Sequence, residues 1–202
     1  GIVFKMEAIG DDVPANYPVA LQGKTIAGYA VAIENVATGR QTLNTELLTA
    51  LTETVAGMTN GTQTTGVLLT GLGDVAFKTT YEKWVGEHAL ASENLSAWYI
   101  PTLSQLSAFM GTLFTMKDVP ATGSEDFKNI PEFEFVNGKM FDRETIATVN
   151  YASSTINNQG NVSGVRINVA DGVVTNAQEA GISVKTALNQ QALCRPMITI
   201  FK

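Results

Sequence analysis

The chain is poor in the residues that carry most protein chemistry. It has one cysteine, Cys194, in 202 residues, which excludes an intramolecular disulfide and a thiolate metal cluster. Cys194 reads instead as a small buried hydrophobe in a strand over residues 193–201. It has one histidine, His88, so a Ser/His/Asp triad would have to use that residue. His88 falls on or beside an apolar helix face, where a satisfied structural histidine is the simpler reading. Charge is scarce, with Asp, Glu, Lys and Arg making up 16% of the chain against about a quarter in ordinary proteins. The 13 basic residues are outnumbered by 19 acidic ones, giving a net charge of −6. With no Lys/Arg cluster to neutralise phosphates, nucleic acid and anionic headgroups are not expected partners. No apolar run reaches the ~18 residues that a membrane span needs, so no insertion by this chain is expected. The glycines of Gly71-Leu72-Gly73-Asp74 are too few for a nucleotide fingerprint, which needs a preceding strand, a third glycine and a following helix.

What is present is a foldable chain of one-domain length, 45% hydrophobic, with its polar surface carried by Thr, Asn, Ser and Gln. That balance fits an extracellular β-rich protein. The chain opens Gly1-Ile2-Val3-Phe4 without methionine, which reads as a fragment of a longer exported protein with Gly1 compatible with a tag remnant. Residues 2–6 read as a strand and 10–17 as a loop. Residues 28–33 form an apolar run suited to a buried strand. Leu47, Leu48, Leu51, Val55 and Met58 recur at helical spacing behind the N-cap Asn44, and Gly57 with Asn60-Gly61 would close that helix. Val67-Leu68-Leu69 suggests a short strand. Phe77, Tyr81, Trp84, Val85 and His88 share one face of a helix over 76–91, more consistent with core packing than with a ligand box. Thr102-x-x-Gln105 is a capping box opening a third helix whose stripe is Leu103, Leu106, Phe109, Met110, Leu113 and Phe114. Beyond a Pro- and Gly-rich loop at 118–131, strands are expected over 133–135 and 139–141 about Asn137-Gly138. More follow over 147–154 and 165–174 about Asp171-Gly172, and at the C-terminus. Residues 176–189 give no clear signal. Helices in residues 1–117, hairpin strands in 118–202 and strands at both ends indicate one α+β domain over 1–202, with about three helices packed on antiparallel strands.

In chain order stand Gly28-Tyr29-Ala30-Val31-Ala32, Asn44-Thr45-Glu46-Leu47-Leu48, and Trp98-Tyr99-Ile100-Pro101-Thr102-Leu103-Ser104-Gln105-Leu106. Tyr151-Ala152-Ser153-Ser154-Thr155, Val165-Arg166-Ile167 and Arg195-Pro196-Met197 follow, ending in Phe201. Together they resemble the secreted bacterial domains of unknown function grouped with the C-terminal domain of Legionella collagen-like protein, and the Fibrobacter succinogenes major-domain proteins. The resemblance covers nearly the whole chain. It implies a C-type-lectin-like fold, related in architecture to formylglycine-generating enzymes. The family usually has Trp where Ala152 stands and an acidic residue at Gln105. Formylglycine generation on the related fold uses paired cysteines, which this chain lacks. The Glu-Pro-Asn or Gln-Pro-Asp loop and Trp-Asn-Asp strand that hold calcium in true C-type lectins are absent too. No metal, cofactor or catalytic residue is therefore expected.

Two places remain for recognition. Trp98 and Tyr99 could stack on a sugar. Trp98 reads more simply as a core plug, while Tyr99 is open between the two readings. Asn150, Tyr151, Ser153, Ser154, Asn157, Asn158, Gln159 and Asn161 fall within twelve positions, a set suited to adaptable, uncharged recognition. The competing reading is a solvated strand face and turn. The expected function is a non-catalytic binding or adhesion module at the bacterial surface or cell envelope, taking a glycan or protein ligand through these late loops. The alternative is a structural domain of a cell-envelope or pilus assembly without a soluble ligand, and an enzyme ranks below both.

Overall fold

The computed structural model describes residues 1–37, 41–42, 58–72, 76–116, 148–157, 161–170, 173–174, 182–185 and 191–202. The chain is α+β with antiparallel sheets. In order come β1 (Ile2–Lys5), a 3-10 turn (Pro14–Asn16), α1 (Val19–Gln22), β2 (Ile26–Val31) and β3 (Gln41–Thr42). Next are α2 (Gly61–Leu72), α3 (Ala76–Glu87) and α4 (Leu103–Met116). The rest is β4 (Thr148–Ile156), β5 (Val162–Ala170), β6 (Val173–Val174), β7 (Ile182–Lys185), β8 (Gln191–Ala192) and β9 (Met197–Phe201).

The two ends of the chain share one sheet, ordered β1-β2-β9. Tyr29 faces Thr199 and Val31 faces Met197 across β2 and β9. A bulge in β1 brings the Lys5 carbonyl so close that a Cβ on Gly28 would lie 2.2 Å from it, so only glycine fits there. Residues 94–99 run antiparallel along the other side of β9. Ser96 N–H donates to Thr199 O, and Tyr99 and Met197 exchange both backbone bonds at 2.9 Å. The second sheet centres on β5, which pairs with β4 on one edge and with β7 and β6 on the other. The pairs Val169–Val174 and Ala170–Val173 flank the expected Asp171-Gly172 turn. A third pairing, β3 with β8, is two residues long.

Among the described residues, two apolar clusters pack in the interior. One gathers Leu68 and Leu72 of α2, Phe77, Tyr81 and Trp84 of α3, and Ile100, Ala152, Val162 and Cys194. The other joins Ile9, Tyr17, Leu21, Ile26, Tyr29 and Phe201, with Phe4 set edge-on to Phe109 of α4 at 5.2 Å. Phe77, Tyr81 and Trp84 of the expected α3 stripe are thus core, while Val85 is partly buried against them and His88 reaches the surface; Ala152, where the resembling family carries Trp, is core as well.

Several expectations are corrected. Asn60-Gly61 opens a helix, and Val67-Leu68-Leu69, expected as a strand, lies inside it as part of α2. Asn60 is its N-cap, with Oδ1 accepting Gln63 N–H at 3.0 Å, while Gln63 Oε1 accepts Thr59 N–H at 3.4 Å. Its threonines and glycines are weak helix formers. The helix holds because Gly61, Thr64, Thr65, Leu68, Gly71 and Leu72 bury one face. Four helices, α1 to α4, are therefore described where about three were expected. Helix α3 ends at Glu87, earlier than residue 91. Residues 182–185, which carried no clear signal, form β7. The terminal strand breaks at residues 193–196, so Cys194 is buried between β8 and β9, outside either strand. The expected helix behind Asn44, the loop at 118–131 and the Asn137-Gly138 hairpin lie outside the described residues, apart from Met58.

Candidate functional site

Strand β4 carries four of the residues singled out for recognition, Asn150, Tyr151, Ser153 and Ser154, and that stretch is internal. One edge pairs with β5. The other is met by Leu193, whose N–H donates to Asn150 O at 2.8 Å and whose carbonyl accepts Ala152 N–H at 2.9 Å, and by Pro101 O, which accepts Ser154 N–H. Its faces pack on α2, α4 and β8. Tyr151, Ser153 and Ser154 are fully buried, and Asn150 is 9% exposed. Ser153 Oγ donates to Ser163 O at 2.8 Å. Ser154 Oγ donates to Ile100 O at 2.8 Å and also meets Thr64 Oγ1. These hydroxyls satisfy carbonyls of neighbouring elements instead of facing water. The expectation that Asn150, Tyr151, Ser153 and Ser154 present themselves to a ligand is corrected accordingly. The small side chains of β4 let α2 pack closely, with Thr64 Oγ1 against Ser154 Oγ.

At the connecting end of the hairpin Asn157 and Asn161 are half-buried. Asn157 N–H donates to Asn161 O at 2.9 Å, and Asn161 N–H donates to Asn157 Oδ1 at 3.0 Å, an Asx-type closure. Asn158 and Gln159 lie outside the described residues. Of the expected recognition set, Asn157 and Asn161 are the members shown near the surface.

Tyr99 is 1% exposed, so its stacking on a ligand is also corrected. It belongs to a buried polar network that sequence reading missed. Asp12, 2% exposed, accepts Tyr17 O–H at 2.5 Å and Tyr29 O–H at 2.6 Å on Oδ2, and Asn60 Nδ2–H at 2.9 Å on Oδ1. A carboxylate donates no proton, and each hydroxyl has only one to give. Tyr17 spends its proton on Asp12, so at their 2.7 Å contact Thr199 Oγ1 is the donor. Thr199 must then accept from Tyr99 O–H at 2.9 Å. Gln105 Nε2–H in turn donates to the Tyr99 oxygen at 3.2 Å. The chain of donors runs one way, from Gln105 through Tyr99, Thr199 and Tyr17 to Asp12. Ile9 N–H donates to Tyr29 at 3.2 Å on the parallel branch. Aligned in a dry interior, such bonds polarise one another.

Gln105 also explains the Thr102-x-x-Gln105 box. Its N–H donates to Thr102 Oγ1 at 3.3 Å, and its Oε1 accepts Thr102 N–H at 3.0 Å. The same oxygen accepts Gly61 N–H at 3.0 Å, so one amide caps both α4 and α2. A Cβ on Gly61 would sit 2.3 Å from Ile100 O and from the Tyr99 ring.

The remaining reactive groups are held by packing. Burial pushes the hydroxyls of Tyr17, Tyr29, Tyr81 and Tyr99 well above the ordinary tyrosine value. For Tyr17 and Tyr29 the Asp12 carboxylate adds to the effect. Burial likewise raises the Cys194 thiol, outweighing the nearby Arg195 charge, so the thiolate that would make it nucleophilic is disfavoured. His88 stacks on Trp84 with ring centroids 4.1 Å apart and sits 3.3 Å from Glu34. Trp98 is half-buried, with its indole N–H donating to His88 O at 2.7 Å. Among the described residues no group of three or more His, Cys, Asp or Glu side chains could hold a metal ion. Among them, too, no helix is long and apolar enough to cross a membrane.

Comparison with known proteins returns no matching family model, no matching curated protein and no matching solved structure.

Proposed function

We propose that this chain is a non-catalytic recognition module of an exported bacterial protein, with a C-type-lectin-like architecture. It would take a glycan or protein ligand at the connecting end of the β4–β5 hairpin. The observation that carries the reading is the contrast along β4. Its upstream hydroxyls and Tyr151 are buried in the framework, while Asn157 and Asn161 bring two amides to the surface end of the same hairpin. Amides suit uncharged ligands, in keeping with the low charge of the chain. The buried state of Cys194 and the tyrosines supports recognition over catalysis. The C-type-lectin-like assignment draws support from the first and last strands lying in one sheet, with helices and a second antiparallel sheet between them. It also draws on the joint at residues 98–106, pinned by Thr65, Ser154 and Gln105.

The test is binding of the intact chain to a glycan array and to immobilised surface proteins, beside an Asn157→Ala/Asn161→Ala variant. A ligand whose affinity falls tenfold or more in the variant is the expected result. Losing two amide contacts at about 1 kcal/mol each gives that order. Ligands bound equally well by both proteins, or none bound by either, would overturn it.

A further inference from the structure

The buried network around Asp12 has a counterpart at the surface. Asp11 and Asn16 lie on the loop between β1 and α1, and Thr59 and Gln63 at the start of α2. Each directly precedes a residue buried in the interior, namely Asp12, Tyr17, Asn60 and Thr64. Those buried neighbours fix where the surface residues stand. Asp12 accepts from both Tyr17 and Asn60, and Thr64 N–H donates to Asn60 O at 3.2 Å.

The four surface residues also touch one another. Asn16 Nδ2–H donates to Thr59 Oγ1 at 2.9 Å, and the Thr59 hydroxyl donates to the Asp11 carbonyl at 3.4 Å. Gln63 Nε2–H donates to Asn16 Oδ1 at 3.4 Å, and Gln63 Oε1 accepts Thr59 N–H at 3.4 Å. Three of these bonds are long, hence weak. They also leave capacity over. A side-chain amide has two N–H donors and two lone pairs, so Asn16 and Gln63 each keep one donor and one acceptor. Both are half-buried, and Asp11, Val13 and Ala15 beside them in the loop are exposed.

We propose that Asp11, Asn16 and Gln63 form a binding site for a neutral saccharide, with the buried network as its rigid backing. A sugar hydroxyl is donor and acceptor at once, so it matches an amide that keeps one N–H and one lone pair. Two such amides and a carboxylate suit successive hydroxyls of one ring, and Val13 offers an apolar contact for its C–H groups. A bare cation would leave the amide donors idle, and an anion would meet the Asp11 charge. Groups held in place before the ligand arrives lose little freedom on binding. The buried network thereby gains a role beyond stability. The site uses other residues than Asn157 and Asn161 and does not rest on the hairpin reading.

The test titrates the intact chain with methyl α-mannoside, methyl β-galactoside and N-acetylglucosamine, followed by NMR. With one of these sugars the side-chain NH2 signals of Asn16 and Gln63 should move and saturate, with a Kd in the millimolar range. Asp11→Ala and Asn16→Ala should each weaken that binding about tenfold, and Thr70→Ala, further along α2, should leave it unchanged. Absence of a saturating shift at these two amides with all three sugars would overturn the site. Saturating shifts confined to other residues, or equal affinity in the native chain and Asn16→Ala, would do the same. The titration of the unmodified chain decides the matter even if a variant folds poorly.

Discussion

Asp12→Ala removes the acceptor shared by Tyr17, Tyr29 and Asn60. All three donors lie in residues buried in the native fold, and each one left unsatisfied costs about 1–3 kcal/mol. Donors in one network do not lose energy additively, so the total should lie toward the low end of the three-donor sum, about 3–5 kcal/mol. With a urea slope of about 2 kcal/mol per molar for a chain of this size, the unfolding midpoint should fall by about 1.5–2.5 M. Asp12→Asn is the sharper variant. Its oxygen can still serve both tyrosines, but its NH2 then faces the NH2 of Asn60, whose own oxygen is committed to Gln63 N–H. That single mismatch at a charge-assisted bond should cost about 1.5–3 kcal/mol, clearly less than alanine. The neighbouring Asp11 is exposed, and Asp11→Ala should stay within about 0.5 kcal/mol of the native chain. Urea titrations of the four proteins, followed by tryptophan fluorescence, provide the assay. Equal losses for Asp11→Ala and Asp12→Ala, or an Asp12→Ala midpoint within about 0.5 M of native, would refute the network as a stabilising element.

Two further outcomes follow from the same packing. Gly61→Ala should destabilise by about 2–3 kcal/mol because its Cβ has no room beside Ile100 O and Tyr99. Gly66→Ala in the same helix meets nothing within 4 Å and should stabilise by up to about 1 kcal/mol, so thermal melts of the pair should shift in opposite directions. Alkaline pH should unfold the chain. In the fold Tyr17, Tyr29, Tyr81, Tyr99 and Cys194 titrate above their ordinary values of 10.0 and 9.0, so the unfolded state gives up those protons first. Stability is full below those values and falls as pH rises beyond them, by about 1.4 kcal/mol per pH unit for each such group. Tyrosinate absorbance should therefore appear together with the loss of far-UV circular dichroism. Its appearance in a chain that remains folded would show that the hydroxyls are not buried.

Much of the framework was legible from local pattern. The alternation and turn signals of β5 and β6, the apolar run of β2, the stripe of α3 and the capping box of α4 all depend on residues close in sequence. Helix α2 carried a similar signal, since Asn60-x-x-Gln63 places an amide at N-cap and another at N3, as Thr102-x-x-Gln105 does with a hydroxyl and an amide. It was obscured because Asn-Gly also reads as a helix stop, and because threonine and glycine are poor helix formers. The candidate site was less legible. Asn150, Tyr151, Ser153 and Ser154 look like a solvated face when water is the only imagined partner for a hydroxyl.

By itself the sequence determined the α+β class, the antiparallel pairing and the lack of a disulfide, because these follow from composition, periodicity and a count of one cysteine. Only the tertiary structure decided which polar residues are interior. A hydroxyl goes inside when a carbonyl, carboxylate or second hydroxyl from a distant element waits for it. Asp12 with Tyr29, Tyr99 with Thr199, and Ser154 with Ile100 are partnerships across 17, 100 and 54 residues, separations that no local pattern can register.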